Sequence, residues 1–135
     1  MQGTITLLNK LKKKDSITGL DIWYKTYIEN CVYKKDRISN VNNNVVAMGE
    51  EFTILIPFSN KYLAYKDWKG LEDKTNYYTL SPQDIIILDI VTEDVTANNI
   101  ISIRNLYEPN TCEIRSIEQV QQRPMVNFEF RVGGI

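Results

Sequence analysis

Asp84 and Asp89 flank the apolar run Ile85-Ile86-Ile87-Leu88, and Glu50 and Glu51 stand side by side. Paired carboxylates of this kind can hold a divalent ion or divide general acid and base work between them. Acids at turns and on solvated faces are the commoner explanation. No histidine occurs in the 135 residues, which removes most Ser-His and Cys-His nucleophile schemes and the common zinc sites. Cys31 and Cys112 stand 81 positions apart and cannot form a thiolate zinc knuckle. The six glycines are scattered, with only Gly133 and Gly134 adjacent, so no phosphate-cradling loop is present. The expectation is a protein that is not an enzyme and that uses neither cofactor nor metal.

Binding chemistry is better represented. Lys10, Lys12, Lys13 and Lys14 form a basic cluster that could contact phosphate, although Asp15 dilutes it and a solvated hairpin tip is the commoner explanation. Trp23, Tyr24, Tyr27 and Tyr33 could stack bases, as on a single-stranded nucleic-acid-binding barrel. Such platforms sit among Arg and Lys, whereas this chain carries a net charge of −1. Trp23 and Tyr27 fall on the strand face opposite Tyr24, which suits burial against another protein or beneath the chain's own excursion. Tyr62, Tyr65 and Trp68 alternate with Lys61, Lys66 and Lys69, the aromatic-plus-charge make-up of an interface. A segment folding back to cap one end of a barrel has the same make-up.

The elements that must position these groups read mostly as strands. Thr4–Asn9 is β-branched and partly alternating, and Lys10–Gly19 is loop-like. In Leu20–Ile28 the residues Leu20, Ile22, Tyr24, Thr26 and Ile28 share a face. Cys31–Lys35, Val45–Ala47 and Glu51–Ile56 follow, with Ser39–Asn44 a polar loop and Pro57 ending the pairing. Residues 59–76 lose the period of two and form an excursion from the sheet. Tyr77–Leu80 rejoins it, Ser81-Pro82-Gln83-Asp84 is a turn, and Ile85–Val91 is the clearest strand. Val95, Ile100, Ile101, Ile103 and Leu106 trace a short helix that Pro109 terminates. Thr111–Ile117 and Met125–Val132 complete an antiparallel sheet. The fold class is mainly β: one domain over residues 1–135, a small antiparallel barrel or sandwich of about seven or eight strands, with one short helix.

No apolar run is long enough to span a bilayer, and the first residues do not read as a secretory signal. A cytoplasmic chain without membrane contact is expected, with Cys31 and Cys112 as packed free thiols; a disulfide is the alternative. Charge is polarised: residues 1–68 carry ten basic and seven acidic groups, residues 69–135 six and ten. A subunit of that kind could stack head to tail on another copy.

Three stretches carry a resemblance: ITLLNK at Ile5–Lys10, LDIWYKTYI at Leu20–Ile28 leading to Cys31-Val32-Tyr33, and the aromatic last strand ending in Gly133-Gly134. Together with the Asp84-led isoleucine strand, they resemble a small prophage head–tail morphogenesis family of low-GC Gram-positive bacteria. The order of elements is similar to head-closure, or stopper, proteins of long-tailed phages. That resemblance implies a subunit of a six- or twelve-fold ring in a virion neck or particle collar, assembled in the host cytoplasm. A portal-side adaptor would bind one side and a tail terminator the other. It also implies a channel-lining loop close to packaged DNA, for which Asn40, Asn42, Asn43 and Asn44, or the 59–76 excursion, are the candidates. A tail terminator or collar ring protein is the neighbouring alternative, and a nucleic-acid-binding barrel the alternative of another kind.

Overall fold

A computed structural model describes residues 2–12, 15, 19–42, 45–57, 59–122 and 127–134. Six strands close into an antiparallel barrel in the order β1-β2-β3-β6-β5-β4. They are β1 (Gln2–Leu11), β2 (Ile22–Asn42), β3 (Val45–Pro57), β4 (Ile85–Ile87), β5 (Thr111–Gln122) and β6 (Asn127–Gly134). Two short helices, α1 (Tyr65–Trp68) and α2 (Ile100–Tyr107), lie in the two long connections. The barrel excludes the sandwich, and the strand count is six rather than seven or eight.

The count falls because segments that read separately are continuous. Ile22–Ile28, Cys31–Lys35 and most of the asparagine-rich stretch are one strand, β2. The pattern breaks at a bulge, where Gly3 pairs with Cys31 but Ile5 pairs with Ile28. Asn30, with φ 61°, takes the extra residue, a conformation asparagine tolerates better than most side chains. The bulge keeps both Ile28 and Cys31 buried in the interior. Leu20 lies before the strand and is exposed. Tyr77–Leu80 contributes only one bridge, Tyr78 to Tyr62. The isoleucine strand is just three residues long, yet every one is buried.

Both faces of β1 and β4 are covered. Ile5, Leu7, Ile86, Ile54, Cys112 and Val132 point into the barrel, while Leu8, Ile85 and Ile87 point outward against Val91 and Ile103. The connection from β4 to β5 thus straps the outer wall. Thr6 on β1 clasps it, donating from Oγ1 to the Asp89 carbonyl at 2.6 Å and accepting from the Val91 N–H at 3.1 Å. On β2, Lys25 donates to the Glu93 carbonyl and Tyr27 to that of Val91. Burying both faces explains why the triple isoleucine shows no alternation. α2 is shorter than the amphipathic pattern suggested: Val95 precedes it, Ile103 is buried, and Ile101 and Leu106 face outward. It stops before Pro109, which holds Glu108 extended (ψ 143°).

The two ends of the barrel differ. At one, β2 and β3 run on as a two-stranded ribbon, in which Asp36–Asn42 pairs with Val45–Glu51. At the other, the 59–84 connection folds across the opening between Pro57 and Ile85.

Candidate functional site

The densest polar arrangement lies at the capped end. Ser81–Asp84 is a turn, closed by the Asp84 N–H to the Ser81 carbonyl at 3.1 Å, with Pro82 second and Gln83 at φ 78° third. The turn delivers the Asp84 side chain to the end of β1, where it is 1% exposed. Its carboxylate accepts from Asn9 Nδ2 at 2.9 Å, the Lys10 N–H at 2.9 Å and the Ser81 N–H at 3.0 Å. Asn9, fully buried, also donates to the Thr79 carbonyl at 2.6 Å and accepts from the Thr79 N–H at 3.2 Å. Its amide stands in for a missing stretch of backbone and staples the returning chain to β1. Burial pushes the Asp84 carboxyl up to about 7, against the pull of the Lys10 N–H, the Asn9 amide and the Ser81 N–H.

Beside this staple sits a cluster of rings and ammonium groups. Trp68 is fully buried and meets Tyr24 edge-on at 5.4 Å and Tyr65 at 5.9 Å. Lys74 lies over Tyr24 and Trp68 at 5.4 and 5.3 Å, and Lys12 and Lys69 lie over Tyr65 at 5.2 and 5.9 Å. The Tyr65 hydroxyl donates to Asp15 at 2.8 Å and accepts from the Lys12 N–H. Burial, with Asp15 adding to it, raises that hydroxyl to about 12.

Trp68 therefore corrects the interface expectation: α1 turns it inward, where it closes the barrel end and touches no solvent. Tyr65 is half-buried in the same cap, and Tyr62 is half-buried against the main core. Trp23 is covered in part by the strap, with Lys10 over its ring at 5.8 Å. Of the five candidate interface aromatics, only Tyr27, at 46% exposure, keeps a largely open side chain. Lys10 pairs with Asp21 at 3.4 Å and Lys12 caps Tyr65, so both ammonium groups are engaged. Lys13, Lys14, Asn43 and Asn44 lie outside the described residues. Asn40 and Asn42 are not loop residues: they pair in β2 with Ala47 and Val45. The staple went unread because Asn9 sits at the end of an apolar run with nothing beside it to mark a partner 75 positions away.

Two open clefts, of about 340 and 280 Å³, lie elsewhere, and Asp84 lines neither. The Asp84 carboxylate is thus held rather than presented. Cys31 and Cys112 are free and buried, their thiols pushed to about 12 by burial. No group of three or more Cys, Asp or Glu among the described residues could hold a metal ion. No helix among them is long and apolar enough to cross a membrane.

These features define a small closed antiparallel barrel whose polar groups serve its own closure. The chain belongs to a family of unknown function, DUF6751, whose model matches residues 1–134. Neither a curated protein nor a solved structure matches it.

Proposed function

We propose that the chain is a non-enzymatic structural subunit of the neck of a tailed phage or a phage-tail-like particle. In that role it is a ring component of the stopper kind, joining a portal-side adaptor to the tail. The observation that carries this reading is the ribbon. Asp36–Asn42 and Val45–Glu51 pair with each other and, among the described residues, with no other strand. A two-stranded ribbon is marginal in water alone and is held by whatever covers its edges. Exposed Ile101 (74%), Leu106 (65%) and Ile90 (53%) add apolar surface of the kind that assembly buries. Tyr24 packed edge-on against Trp68, Trp23 partly covered by the strap, and the engaged Lys10 and Lys12 weigh against a base-stacking or phosphate-gripping barrel.

Electron microscopy of particles carrying a tagged copy tests the proposal. Label at the head–tail joint supports a stopper, and label at the tube tip a terminator. Absence from particles overturns both. Oligonucleotide binding that weakens steeply with salt would favour the nucleic-acid reading instead.

A further inference from the structure

Several stretches of strand edge carry no strand among the described residues, and two of them, at opposite ends of the molecule, suit one another. The first is on β2. From Ile22 to Val32 this strand pairs with β1, but β3 joins its other side only from Val32 onward. Around Ile22–Tyr24 the cap packs against the sheet. Within Lys25–Asn30, the residues Tyr27, Ile28 and Glu29 border an open cleft of about 340 Å³, across which lie Pro57, Ser59 and Lys61. Among the described residues, no backbone hydrogen bond from a loop reaches this edge. The second stretch is the outer edge of the ribbon, Val45–Glu51, beyond the point where β6 stops pairing with β3 at Phe52.

An open edge exposes alternating N–H and C=O groups that an extended backbone satisfies and a compact surface does not. The six residues of the β2 edge and the seven of the ribbon edge are well matched in length. Val45-Val46-Ala47-Met48 is uncharged and opens with two β-branched valines, which favour an inserting strand, and the acids Glu50 and Glu51 close the same edge. We infer that the chain assembles head to tail, with the Val45–Glu51 edge of one copy adding a strand to the Lys25–Asn30 edge of the next. Donor and acceptor edges differ, so the contact is heterologous: it closes a ring or extends a filament according to its rotation. The inference rests on the ring reading above and names its contact.

Disulfide trapping between two singly substituted full-length proteins tests it. Ser59→Cys places a thiol across the cleft, and Ala47→Cys and Met48→Cys place thiols at two successive positions of the ribbon strand. Cys31 and Cys112 are buried and do not compete. Under mild oxidation, one of the two mixtures should yield several-fold more linked dimer than any single variant alone, and sedimentation of the unsubstituted protein should show association. Association without linkage in either mixture overturns the edge contact and leaves the ring standing. A monomer at every concentration, with no linkage, overturns both.

Discussion

The capped end and the ribbon end use the same backbone groups in opposite ways. At the cap, β4 begins only at Ile85, and Asn9, Asp84 and the turn at Ser81–Asp84 supply the end of β1 with partners that a longer β4 would have supplied. At the ribbon, strands run on after their neighbours have ended, and each keeps one edge without a strand. The staple at the cap, whose carboxylate and amide are met within the chain, contributes stability. An end whose edge groups are left to water is free for recognition. Substitutions at the two ends should therefore separate folding from assembly.

The largest effect is expected at Trp68. Replacing it with Ala empties a fully buried ring site against Tyr24 and Tyr65, and should cost about 3–5 kcal/mol in denaturant unfolding. Particle yield should fall only as far as folded protein does. A stable Trp68→Ala monomer that fails to assemble would return this residue to the interface and dissolve the contrast.

Asp84 comes next. With its folded value near 7 and an ordinary unfolded carboxyl, the native state binds the proton more tightly. Its contribution is then greatest below about pH 4 and is lost as pH rises through about 7. Asp84→Asn should flatten that slope in urea midpoints measured across the window. It should also cost about 1–3 kcal/mol, because an amide nitrogen would face one of three N–H donors. An unchanged slope would mean that the three donors outweigh burial and that the carboxylate is held ionised.

How much of this was legible in the sequence depends on range. Local chemistry was readable: the Ser81–Asp84 turn, the helix stop before Pro109, and the mainly β character with an excursion after Pro57. Features set by distant partners were not. β2 read as two strands because a bulge at Asn30 shifts the alternation by one, and alternation cannot distinguish a bulge from a break. Tyr62, Tyr65 and Trp68 look the same as cap or contact until Tyr24, from another strand, is placed beside them. Asn40 and Asn42 read as loop by type, but β2 carries them into the ribbon.

A smaller effect is expected at the rim of the cap. Lys69 reaches Asp15 at 3.4 Å and lies over Tyr65, with its own side chain 39% exposed. Lys69→Ala should cost no more than about 1 kcal/mol, and less at high salt, since exposed pairs are weak and screened. A larger, salt-insensitive loss would show that the ring stacking around Tyr65, rather than the ion pair, depends on Lys69.

The smallest effect on folding, and the most informative, belongs to the ribbon. Ala47→Pro removes an N–H in a strand that there pairs only with Asn40 across the ribbon, well beyond the last contact with β6. The barrel lies below that point, and local opening of a two-stranded extension need not propagate into it. The unfolding free energy should change by no more than about 0.5 kcal/mol, the background for substitutions outside a core, while self-association should be lost. Proline within a strand is ordinarily among the costliest changes, so a near-silent result would separate the ribbon energetically from the barrel. If Ala47→Pro instead unfolds the barrel, the ribbon is part of the folding unit, and its unpaired edge serves the chain's own stability before it serves any neighbour.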